Sequence, residues 1–107
     1  MSYLIRFELL PWIEPALGIR YKIYKNGNQQ IRLAEFSDGF IEPDWCHKSH
    51  AGYVLEGSFT NDYSGKPEHY KTGDFFFIPS GEEHKHKVIM ANGEKVLVLL
   101  FEIICDV

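Results

Sequence analysis

The sequence predicts an all-β domain, a sandwich or barrel, on three observations. Apolar residues recur with a two-residue period in several short segments, turn-forming dipeptides punctuate those segments closely, and no stretch carries a helical period of useful length. The 107 residues suit one domain, and a domain of that size buries about two-thirds of the surface its unfolded chain exposes. A composition of 45% apolar and 15% aromatic residues favours a packed core over disorder.

Taken in order, FELLPW holds no more than one turn. IRYKIYK alternates Ile19, Tyr21 and Ile23 with Arg20, Lys22 and Tyr24, the pattern of a half-buried strand. Asn26-Gly27 is read as the centre of a hairpin, since both residues tolerate positive φ, and QQIRLAEF as the return strand. Arg32 is a candidate partner for an anionic substrate, but on that alternating strand it is placed on the wet face. Asp38-Gly39 is a second turn, GYVLEGSFT a strand and TNDYSGKPE a polar loop, with His69 of PEHYK solvated. DFFFIP is a short strand that stops at Pro79. Trp45, Tyr53, Phe75, Phe76 and Phe77 are assigned to the core. HKHKVIM alternates with His84, His86, Val88 and Met90 on one face. Asn92-Gly93 then turns the chain into KVLVLLFEII, whose near-continuous hydrophobicity says both faces are covered.

Charge and composition narrow the partners. The net charge is −4 and no long basic run occurs, so neither nucleic acid nor a membrane surface is implied. Arg6 and Glu8 interrupt the apolar N-terminus, unlike a signal peptide, and the apolar run VLVLLF is too short to cross a bilayer. Cys46 and Cys105 do not make a disulfide framework and read as free thiols of a cytoplasmic protein.

The chemistry sits in the histidines. Four of five lie in two clusters, HKSH (His47, His50) and HKH (His84, His86). Residues two apart on a strand share a face, so His84 and His86 can converge. Inside a barrel, imidazoles need hydrogen-bond partners or a metal, and three of them around a cation suit Zn, Fe, Mn, Ni or Cu. Glu35 and Glu42 are weaker candidates, as a general base or an outer ligand, and Glu82-Glu83 reads as a solvated turn.

GDFFFIPSGEEH resembles the second motif of the cupin family: a glycine, five residues, Pro-x-Gly, two residues and a histidine, here Gly73, Pro79, Gly81 and His84. WCHKSHAGYVLEG resembles the first motif, which ends in a strand of the YVLEG type, here Tyr53 to Gly57. The resemblance runs over residues 35–104, with motif one at about 39–57 and motif two at about 73–88. It implies one jelly-roll barrel domain over residues 1–107, often with a divalent metal held by histidines and a glutamate. Counting back from Gly57 puts His50 at the glutamate position, and His47 reaches a histidine position only through a shifted gap. Val88 stands where motif two carries asparagine. The metal set so implied is His47, His50 and His84, with His86 as a fourth ligand or as a neighbour that orients one. Cys46 is a less favoured ligand. The cofactor expected is a divalent transition metal.

Two functions follow from this reading. One is a metal-dependent oxygenase, isomerase or lyase acting on a small organic molecule. The other is a dimeric module that binds or senses a small ligand without metal. Jelly rolls leave sheet edges open, and the apolar segments YLIRFELL and VLVLLFEII are expected to cover them in a homodimer.

Overall fold

The computed structural model describes residues 3–103. Eight antiparallel strands form the jelly-roll barrel: β1 (Ile13–Ala16), β2 (Ile19–Asn26), β3 (Gln29–Ser37), β4 (His50–Asp62), β5 (Pro67–Lys71), β6 (Phe75–Ile78), β7 (Lys87–Ile89) and β8 (Lys95–Ile103). The sheet order is β1-β2-β3-β8-β4-β5, and β6 and β7 also pair with β4. β4 is the spine. Its first half pairs with β6 and β8, and its second half with β5 and β7. β1 and β5 were not read as strands, since each carries a proline and β5 alternates weakly.

Two local features decide which side chains face inward. The β2–β3 hairpin pairs Asn26 with Gln29, so its centre is Gly27-Asn28, one residue later than the dipeptide suggests. Only Gly27 of that pair has positive φ, as a turn with glycine at its first central position requires. The second feature is a bulge in β4: Val54 faces Val98 but Glu56 faces Leu97, which leaves Leu55 as an extra residue. Before the bulge the buried positions are His50, Gly52 and Val54; after it they are odd-numbered, Phe59 and Asn61. Glu56, which shares the parity of His50, is therefore exposed.

The core is Ala34, Phe36, Val54, Phe59, Tyr70, Val96, Val98 and Leu100. Gly52 has no room for a side chain, because a Cβ there would lie 2.2 Å from the ring of Phe76 across the β4–β6 pair. Three aromatic assignments are corrected. Phe75 and Phe77 are 77% and 73% exposed, since they point outward from β6 and only Phe76 points in. Trp45 is half-buried at the surface, with the ammonium groups of Lys85 and Lys87 over its ring. Arg32 is corrected the other way: it shares the parity of buried Gln30, Ala34 and Phe36 and points inward.

β8 lies between β3 and β4 with both of its edges paired, so the C-terminal segment covers no open edge. Nor are both its faces covered. Val96, Val98, Leu100 and Glu102 are buried, while Phe101 and Ile103 are exposed on the other face. Cys105 lies outside the described residues. Among the described residues, no helix is long and apolar enough to cross a membrane.

Candidate functional site

At one end of the barrel, the inner face of the sheet turns from apolar to polar. The register places Gln30 of β3 beside Glu102 of β8, and Glu102 beside His50 at the start of β4. Glu102 Oε1 accepts from Gln30 Nε2 at 2.7 Å and from Arg32 Nε at 2.6 Å; Oε2 accepts from Arg32 Nη2 at 2.8 Å. Oε2 also lies 2.5 Å from His50 Nδ1, at ion-pair distance but not aligned as a hydrogen bond. Burial alone would raise the Glu102 pKa. The histidine and the guanidinium outweigh it and hold the carboxyl far below the usual range.

The other nitrogen of His50, Nε2, is 3.2 Å from Cys46 Sγ. Cys46 sits in the loop before β4, where its backbone exchanges two hydrogen bonds with His86, at 2.9 and 3.0 Å. That bridge brings His86 to the same spot, its ring 5.1 Å from that of His50 in an edge-on arrangement. His86 Nδ1 donates to the carbonyl of His84 at 3.1 Å. Cys46, His50 and His86 each offer one ligand atom within 4.8 Å of the others. Burial pushes the Cys46 thiol up, but the His50 contact and the Lys48 backbone bring it below its ordinary value. Burial lowers the His50 pKa, and Cys46 and Glu102 more than reverse this.

These groups line a cavity of about 250 Å³. Its walls are aromatic and aliphatic, led by Phe36, Phe40, Phe59 and Phe76, and its polar members besides the cluster are Arg32, Glu42 and Asn61. Glu42 accepts from the Val88 N–H at 3.5 Å, and burial raises its pKa against the pull of that bond. Glu35 stands elsewhere, paired with Arg20 and Lys95.

Of the four predicted histidines, the structure brings His50 and His86 together. His47 is half-exposed, its Nε2 3.1 Å from Glu82, and His84 is 3.6 Å from Glu83. Neither belongs to the cluster. The parity argument for His84 fails because residues 82–84 form a 3₁₀ turn and β7 begins only at Lys87. His69 is on β5, exposed, with Nδ1 2.9 Å from Thr60 Oγ1. The sequence reading ranks Cys46 below the histidines and omits Glu102. Cys46 had a signal: with a gap of three residues, the second histidine position of motif one falls on it. Glu102 had another, as the lone charge at the inward parity of Val96, Val98 and Leu100.

A family model for the cupin domain matches residues 38–101. No curated protein matches the chain in sequence. Among solved structures, the chain is similar to KdgF from Halomonas sp., with a TM-score of 0.72 and 23% identity over 99% of this chain and 96% of that one. It is similar to the polyketide cyclase RemF from Streptomyces resistomycificus, with a TM-score of 0.72 and 19% identity over 96% and 80%. For the Clostridium difficile EutQ protein the TM-score is 0.67 and the identity 14%, over 83% and 70%. At these identities the likeness is one of fold.

Proposed function

This chain belongs to the cupin domain family, and we propose that it holds a divalent transition metal on Cys46, His50 and His86 and acts on or binds a small organic molecule in the cavity beside it. One observation carries the reading. His86 Nδ1 is hydrogen-bonded to the His84 carbonyl and His50 Nδ1 stands at ion-pair distance from the Glu102 carboxylate, so Nε2 of each is left to ligate beside a thiol held below its ordinary pKa. Fixing the second nitrogen on a carboxylate or carbonyl is how proteins orient metal-binding histidines. A thiolate with two imidazoles suits Zn, Fe or Cu better than harder cations. Such a centre supplies Lewis-acid chemistry to a bound molecule, and three protein ligands leave a position open for it. The protein's own part is to fix the imidazoles through Glu102, wall out water with phenylalanines and keep the Glu42 carboxyl toward its neutral form.

The test is elemental analysis of untagged protein beside His50→Ala, His86→Ala and Cys46→Ser variants. About one equivalent of metal is expected in the wild type and none in the variants. Stoichiometric metal retained in all three variants would remove these residues as ligands. Wild-type protein that takes up no metal would leave the metal-free binding module.

We also propose a homodimer, joined through the outer face of the sheet instead of its edges. The register sets Ile31, Phe101, Ala51 and Phe77 in one row across four strands, and Leu33, Leu99, Tyr53 and Phe75 in the next. A continuous apolar surface of that kind is costly in water and is covered naturally by a second copy of itself. Light scattering at micromolar concentration should give twice the chain mass, and a monomer there refutes the proposal. The thiol of Cys46, beside an imidazole and in no disulfide among the described residues, supports a reducing, cytoplasmic setting.

A further inference from the structure

The guanidinium of Arg32 is only half engaged. The group carries one N–H on Nε and two on each Nη. Glu102 takes two of these five, from Nε and Nη2, along one side of the plane. The end of the plane is left over: both N–H groups of Nη1 and the second N–H of Nη2. Nη1 has no partner among the described residues, and unlike Asn61 Oδ1, which is sealed off, it keeps accessible surface. The free end is also held still. The Tyr21 ring lies 5.1 Å from Cζ, and the paired contacts to Glu102 fix the rotation of the plane. Arg32 is on the cavity wall and Glu102 is not, so the edge turned away from Glu102 is the one offered to the cavity.

Two parallel N–H groups on a fixed cation match the two oxygens of a carboxylate. One such group is accommodated and a second is not. Among the described residues no lysine and no other arginine lines the cavity. The other charged side chain there besides the metal cluster is Glu42, near enough for the charge of Arg32 to act on it, and a carboxyl is a poor partner for a further negative charge. The remaining wall is led by four phenylalanines, which solvate no charge at all. An apolar cavity of about 150 Å³ accepts a benzene ring, so one of about 250 Å³ has room for such a ring with one carboxylate. We infer that the ligand of this cavity is a compact monocarboxylate with an apolar body, its two oxygens held end-on by Nη1 and Nη2 of Arg32. The inference rests on the cavity being a small-molecule site, as proposed above, and does not depend on the metal.

Calorimetric titration of the full chain, once after chelator treatment and once loaded with Zn(II), tests it with benzoate, its neutral isostere benzamide and the dianion isophthalate. Benzoate should bind on the order of 10- to 100-fold more tightly than benzamide in both preparations, the gain of a charge-assisted pair over a neutral one. Isophthalate should bind more weakly than benzoate, because its second charge meets no cation. Arg32→Lys keeps a cation beside Glu102 but removes the planar fork, and should abolish most of the preference for benzoate over benzamide. Should that variant fail to fold, the wild-type comparison of benzoate with benzamide in metal-free protein decides by itself. Equal affinity for benzoate and benzamide, or tightest binding of isophthalate, overturns the inference while leaving the small-molecule site standing. So does a preference for benzoate that appears only with Zn(II), which would assign the carboxylate to the metal, or one undiminished by Arg32→Lys. If no probe binds in either preparation, the inference and the small-molecule reading fall together. If metal-free protein prefers benzoate but Zn(II) is never taken up, the inference stands and the metal is lost.

Discussion

In HKSH, His50 turns inward against Glu102 while His47 stays half-exposed beside Glu82; in HKH, His86 turns inward against Cys46 while His84 stays half-exposed beside Glu83. The four side chains are chemically identical and lie within three residues of one another in each pair. The inner two differ from the outer two in their backbone partners. His50 is the first residue of β4 and is paired on both sides, with Ile78 and with Glu102. His86 is bridged to Cys46. His47 precedes the strand, and His84 ends a 3₁₀ turn whose residues are all unburied. A histidine is placed by the segment it is hydrogen-bonded across, and its neighbours in sequence say little about that.

The largest effect expected from breaking the inner pair comes from its shared carboxylate. Glu102→Ala strands the Arg32 guanidinium and His50 in the interior, and should cost about 3–5 kcal/mol in urea denaturation. The more conservative Glu102→Gln keeps the volume but loses the charge that fixes His50. On the metal reading it should weaken metal affinity about 10- to 100-fold by competition with a chromogenic chelator. Unchanged affinity in Glu102→Gln would separate the carboxylate from the cluster.

Acid sharpens the same contrast. The folded state holds the Glu102 carboxyl below its ordinary value of 4.5. Its stabilisation is therefore complete above that value and declines as pH falls through it toward the folded-state pKa. Urea midpoints of metal-free protein should drop between about pH 6 and about pH 3, and the drop should be smaller in Glu102→Gln. An equal drop in both would assign the acid sensitivity to other carboxylates. The smallest effects belong to the outer pair. His47→Ala and His84→Ala each lose an exposed contact to glutamate and should change stability by no more than about 0.5 kcal/mol. A larger loss from either would show that the solvent-side histidines do more than the geometry gives them.

Much of the architecture was legible because strand periodicity is a local property. The segments 19–26, 29–37 and 95–103 were read to within a residue or so, since each alternates or is apolar over a full strand length. β1 and β5 escaped because proline and polar residues mask a strand that is held mainly by its neighbour. Within the site, His50 was readable from its parity with Val54 on one uninterrupted stretch. Cys46 was less so: motif spacing points to it, but a loop has no parity to say that it faces inward. The inward aim of Arg32 was hidden too: an arginine inside a barrel makes sense only beside Glu102, which is 70 residues away in the chain.

The sequence by itself determined that this chain makes a small all-β barrel and that four of its five histidines lie in two short clusters. Both facts are written in short-range patterns, the period of apolar residues and the spacing of turns and motifs. The tertiary structure alone decided which histidine of each cluster faces inward. It also decided that a cysteine and a distant glutamate join them, and that the bulge at Leu55 swings Asn61 onto the cavity wall. Those outcomes depend on cross-strand register and on one inserted residue that reverses every side chain after it, and no local pattern encodes either.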